Sequence, residues 1–213
     1  MPALLFPPRA IIGVLHLPPL PGGPRPGPAP AALLDHALRD AEALAEGGAR
    51  GCVVENLGDA PFAPDAVEPH VVAHMAVIAA AVVRRFGDVL KVGVNVLRNA
   101  TLDSLGVASA AGADFVRVNV LSGAMVTDQG LIQGRAREAL LYRRRLGCAC
   151  LVAADVLVKH ASPLAPLDIR QAARDSFLRG GADALIVTGP GTGFAADPGR
   201  LEAVRAAVPE APL

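Results

Sequence analysis

Tryptophan is absent from this chain of 213 residues, tyrosine occurs once, and aromatics make up 3% of it. The 20 basic residues balance 20 acidic ones, leaving no net charge. With neither a basic stripe nor interleaved aromatics to stack on bases, no nucleic-acid partner is expected. Cysteine is scarce as well, at Cys52, Cys148 and Cys150. An odd, sparse set builds no disulfide scaffold and points to a reducing compartment. Cys148 and Cys150 lack the second pair that a zinc site needs, so these two read as buried small hydrophobes. The longest apolar stretch, Val71–Val83, is interrupted by His74 and falls short of the ~20 residues of a membrane span. No basic segment opens the chain, and Pro2, Pro7 and Pro8 break its first apolar residues. Neither a signal peptide nor membrane insertion is expected, and the expected location is cytoplasmic.

What the chain has in quantity is apolar residues, 52% against 19% charged, enough for one globular domain over residues 1–213. Six short β-branched runs each end in polar residues and precede a helical stretch: Ile11–His16, Cys52–Asn56, Val92–Leu97, Phe115–Val120, Leu151–Val156 and Ala184–Thr188. The helical stretches run over Ala31–Ala45, Ala66–Phe86, Thr101–Ala111, Arg135–Leu146, Asp168–Arg179 and Asp197–Val208. Helix exits repeat a glycine followed at once by a strand, as at Gly112-Ala113-Asp114 and Gly180-Gly181-Ala182-Asp183. Such turns build βα units with right-handed crossovers.

Two α/β architectures accept this pattern, an open doubly wound sheet or a TIM-type (β/α)8 barrel. No Gly-x-Gly-x-x-Gly follows the first run, where Leu17-Pro18-Pro19-Leu20-Pro21-Gly22-Gly23 stands instead. A dinucleotide site is therefore poorly supported. Polar groups end all six strands rather than marking one switch point, which favours the barrel. Six units are two short of closure, and roughly 250 residues is usual for that fold. Pro209–Leu213 reads as a linker entering a seventh strand, so the barrel is expected to be truncated. Its first and sixth strands would then be open edges, inviting homo-oligomer formation.

The C-terminal strand ends of a parallel barrel converge on one face, and chemistry resides there. Residues two apart on a strand share a side, so Arg117 and Asn119 point together, as do Ala153 and Asp155, with Lys159 just beyond. A buried arginine requires either an internal carboxylate, Glu55 or Asp155, or an anionic ligand. His16, Glu55 and Asp155 suit proton transfer. Lys159 suits an electrophile, a proton shuttle or an anion anchor. The third strand closes with Asn95, Arg98 and Asn99, of which Asn99 also suits a helix cap. Asn56, Asn119 and His160 complete the polar rim. The connection Leu121–Gly134, with Thr127, Asp128 and Gln129, reads as a lid or a surface loop. Thr188, Gly189, Gly191 and Thr192 form either an anion cradle or a loop needing positive φ. His70 and His74 stand four apart on a helix but lack a metalloprotease glutamate. No metal ligands are assigned and no cofactor is required, although His and carboxylates leave a divalent metal open.

Several of these segments in order resemble the BtpA/SgcQ family: Val14–Gly22, Val54–Phe62, Gly93–Asn99, Phe115–Val120 with Thr127–Gly130, Asp155 through Ala161, and Thr188-Gly189. The resemblance spans essentially the whole chain. It implies a TIM barrel related to the ribulose-phosphate-binding barrels, and it carries the description photosystem I biogenesis, with no established chemistry. Leu157 stands where relatives often place a more polar residue, and two further strands with a glycine-rich phosphate turn are missing. The expected function is that of an enzyme for a small phosphorylated or otherwise anionic metabolite, an isomerase, lyase or transferase. The alternatives are a non-catalytic accessory factor and an inactive truncated product.

Overall fold

A computed structural model describes residues 6–213; the start of the chain around Pro2, read above for a leader, lies outside them. Six parallel strands form one sheet: β1 (Ile12–His16), β2 (Gly51–Glu55), β3 (Lys91–Asn95), β4 (Phe115–Val118), β7 (Leu151–Asp155) and β9 (Ala184–Ile186), in that spatial order. Six helices alternate with them: α1 (Pro30–Glu46), α2 (Pro69–Phe86), α3 (Thr101–Ala111), α4 (Ala136–Arg145), α5 (Ile169–Arg174) and α6 (Pro198–Ala207). Strand order follows chain order without reversal, so no switch point exists of the kind an open doubly wound sheet has. Right-handed crossovers then put every helix on one side. The main core accordingly joins outward strand residues Leu15, Val54, Val94, Val116, Val152 and Leu185 to the buried stripes of all six helices. A second cluster, Val53, Phe115 and Ala153, lies on the opposite side with Phe6 against it. This inner cluster is the floor of a barrel-type interior.

Alternation along the strands decides which groups lie above that floor. The parallel register pairs Val14 with Val53, Val53 with Gly93, and Gly93 with Phe115. One residue pair further on, His16 pairs with Glu55 and Glu55 with Asn95, so the apolar row is followed by a polar one. β1 and β9 are the edges of the sheet. The Leu185 amide donates to the Pro212 carbonyl at 2.9 Å, which sets Pro212 along the outer edge of β9.

The connection after β4 is not a loop. It folds into a hairpin, β5 (Ala124–Thr127) and β6 (Gly130–Gln133), and β5 also pairs with β8 (Ala161–Pro163) from the connection after β7. Alternating Met125 and Ile132 bury with Val120 and Val158 beneath it. That apolar underside makes the segment a structured cover. Helix α5 also departs from the expected continuous helix, ending in a π-helical turn, Asp175–Arg179. Helix α2 has 18 residues and mean hydropathy 1.2, long and apolar enough to cross a membrane by length and composition. Here it buries Met75, Ile78 and Val82 in the main core. Cys52 and Cys150 are buried, and burial pushes both thiols up to about 12, which makes them packing groups at neutral pH.

Candidate active site

The polar row and the residues one step beyond it form one hydrogen-bonded network. Asn95 Nδ2 donates to Glu55 Oε2 at 2.6 Å. His16 Nε2 stands 3.5 Å from the other oxygen, Oε1. Arg117 reaches both carboxylates. Its Nε and Nη2 donate to Asp155 at 3.1–3.2 Å, and Nη1 lies 3.8 Å from Glu55. Asn119 Nδ2 donates to Asp155 Oδ2 at 2.7 Å. Of the two partners open to Arg117 at the sequence level, the internal carboxylates are the ones the fold supplies. A buried arginine held this way is neutralised from within.

The two carboxyls are pushed in opposite directions. Burial works to raise Glu55, but His16, Arg117 and Asn95 together outweigh it and hold the group below its ordinary range. Asp155 is more deeply buried, and desolvation raises it despite Arg117 and Asn119. Desolvation would lower Arg117, but the charges of Asp155 and Glu55 reverse this and raise it. Paired carboxyls with environments that separate them are the arrangement that assigns acid and base roles.

Arg98 is different. It is 6% exposed, and among the described residues neither it nor Lys159 has a carboxylate within 4 Å. Its Nη2 donates to the Lys159 carbonyl at 2.7 Å, tying the ends of β3 and β7 together. Burial lowers its pKa, and Asp155 and Asp128 oppose this only from a distance. Lys159 lies between Leu157 and His160, which have φ of 50° and 56°. Side-chain-bearing residues rarely adopt that region without support from their surroundings.

Several other expected site residues bond to neighbouring backbone or side chains. Asn56 accepts from the Leu97 amide at 2.8 Å and donates to Asp59 at 3.0 Å. Asn99 bonds the Val120 backbone with both ends of its amide. It is therefore not the cap of α3, which begins after Ala100. Thr127 closes the β5–β6 turn onto Gly130, with Asp128 and Gln129 at its tip. His160 Nε2 stands 3.5 Å from Thr192 Oγ1. A Cβ at Gly189 would lie 2.3 Å from the Phe194 carbonyl, so close packing explains that glycine. Neither it nor Gly191 takes a positive φ; Gly193 does. Thr188 Oγ1, Asn119 Oδ1 and Gln129 Oε1 are buried without a partner among the described residues. Sequence reasoning missed Asp59, which accepts from the Leu20 amide at 2.7 Å and fixes the proline-rich turn. It also missed Ser176 on the π-helical turn; neither has a spacing that would single it out. Among the described residues, no group of three or more His, Cys, Asp or Glu side chains stands together as a metal site would require.

A parallel α/β protein of barrel type, with a buried network of carboxylates, amides and a guanidinium at the C-terminal strand ends, is the class these features define. Residues 8–213 match the model of the BtpA family, and the chain belongs to that family. It is 48% identical to the photosystem I biogenesis protein BtpA of Synechocystis over 185 residues, 86% of this chain and 63% of that protein. An uncharacterized protein of Pyrococcus furiosus is 42% identical over 193 residues, covering 91% of this chain and 72% of the relative. The chain thus spans under two thirds of the Synechocystis protein. Among solved structures, a monomeric dihydrodipicolinate synthase variant superposes with TM-score 0.55 at 13% identity, covering 97% of this chain and 60% of that one. This likeness shows the fold, that of the TIM-barrel enzymes.

Proposed function

We propose that this BtpA-family chain is an enzyme that binds a small anionic, hydroxyl-bearing metabolite, a phosphorylated sugar being the model substrate, at the C-terminal ends of its strands. The carrying observation is Arg98, a buried guanidinium with no carboxylate partner among the described residues. A cation in that state is costly unless an anion completes it. Arg98 and Lys159 hold the anion in this reading, while Arg117 holds the two carboxylates in place. The buried acceptor Gln129 Oε1 calls for a donor, which a ligand hydroxyl supplies. Glu55, held ionised, takes a proton with His16 beside it, and Asp155, raised by burial, gives one. Reactions that move a proton next to a carbonyl or alkoxide fit this pair, as in isomerases and lyases. Three unpaired thiols suit a reducing cytoplasm.

Thermal-shift screening of sugar phosphates and hydroxy acids tests this. A ligand at 100 times its Kd adds about 2.7 kcal/mol of stability. That gain should disappear in Arg98→Met and shrink in Lys159→Met. Ligands that stabilise the unmodified chain and Arg98→Met alike would refute the assignment. A second reading follows from the name of the Synechocystis relative, an accessory factor in photosystem I biogenesis. It predicts that Glu55→Gln and Asp155→Asn support complex assembly as well as the unmodified chain does.

A further inference from the structure

Asp155 has no exposed side-chain surface, yet an acid must regain its proton from solvent. A narrow recess of about 50 Å3 runs beside it, and its polar lining is Asn119, Asp155, Ser122, Asp175 and Ser176. A single water needs roughly 10–15 Å3 and two or more polar partners, so the recess has room for several. Asn119 is 2% exposed. Its Nδ2 is engaged by Asp155, while its Oδ1 has no partner among the described residues. Water answers a buried acceptor of this kind. At the other end, Ser122 and Ser176 face each other with their hydroxyls 3.1 Å apart, either one able to donate. Ser122, Gly123 and Asp175 also line an open cleft of about 640 Å3 on the flank, beside the start of α4. The recess and the cleft thus share Ser122, Gly123 and Asp175, and the serine pair lines the recess together with Asp155.

Ser176 owes its position to the π-helical turn, whose wider spiral buries the hydroxyl at a helix end. Such turns recur where a helix serves a site. A hydroxyl accepts one proton and releases another without net charge, so a serine pair with water on both sides passes protons.

We propose that this recess is a hydrated proton relay linking Asp155 to the flank cleft through Asn119-bound water, Ser176 and Ser122. Its purpose rests on the acid role given to Asp155 above; its hydration is tested without any ligand. At 21.7 kDa the chain suits side-chain amide NMR. In the unmodified chain the Asn119 Nδ2 protons should show cross-relaxation with long-lived water and measurable exchange with solvent. That exchange should be lost in Ser176→Val and kept in Ser176→Thr, while the Asn95 amide at the mouth is unchanged. Absence of a water signal at Asn119 in the unmodified chain would overturn the relay, as would exchange that survives both Ser176→Val and Ser122→Val. Should Ser176→Val fail to fold, the water signal at Asn119 in the unmodified chain decides by itself. Sugar-phosphate binding that fails with this signal present would remove the proposed substrate and leave the relay standing.

Discussion

Arg117 and its two carboxylates are coupled through desolvation, so removing one member does not remove one increment of energy. In Arg117→Met, Asp155 keeps its burial and loses the cation that offsets it. The expected cost is about 3–5 kcal/mol, the range for breaking a buried pair from one side. Arg117→Met with Asp155→Leu should recover much of that loss, because no uncompensated charge remains. Urea unfolding of the four species of the cycle measures this, and strict additivity would show the pair to be uncoupled. Glu55 offers a test through pH. Its folded pKa lies below the ordinary value, so its contribution is present above the unfolded pKa of about 4.3 and lost as pH falls through the folded one. The urea midpoint should therefore drop more steeply between roughly pH 5 and pH 3 in the unmodified chain than in Glu55→Gln. Parallel profiles would mean that His16, Arg117 and Asn95 do not act on this carboxyl as the geometry implies.

Among the strands, β3 carries the tightest constraint. Gly93 sits in the inner apolar row, and a Cβ there would come within 2.3–2.4 Å of the Phe115 ring. That ring meets Phe6 edge-on at 5.7 Å between centroids and has little room to yield. Gly93→Ala should destabilise by about 1–3 kcal/mol, the usual cost of overpacking. Phe115→Leu in the same chain should return part of it, and differential scanning calorimetry would detect both. Elements also divide by how far their residues reveal them. The six parallel strands were legible because both faces are covered and β-branched runs ended by polar residues mark them. Arg117 was legible for a related reason, since a charge between Val116 and Val118 demands a partner. The β5–β6–β8 sheet was not, because its glycines and polar residues read as a loop and its third strand arrives from a distant connection. Nor could the chain distinguish Asn56 and Asn99, which brace backbone, from Asn95 and Asn119, which bind the carboxylates. An amide serves either role, and only its neighbours decide.

At the scale of the whole sheet, six sequentially ordered strands leave β1 and β9 as its edges among the described residues. Ile12 and Val14 on the inner side of β1 are 42% and 37% exposed, although the matching row across β2 to β4 is buried. Among the described residues no strand lies on the outer side of β1, and an apolar strand with unpaired amides and carbonyls is a template for another chain. The chain should therefore associate as concentration rises, through β1 and the adjoining inner face. A charge pointing inward at such an edge is the device natural sheets use against pairing, and Ile12 is the position that offers it with least burial lost. Sedimentation velocity across a concentration series should show the average mass rising for the unmodified chain and staying near 21.7 kDa for Ile12→Lys. The melting temperature should change little, because water already reaches that side chain. An unmodified chain that stays monomeric at every concentration would show that this edge is protected, and would remove the reason to expect oligomers of this chain.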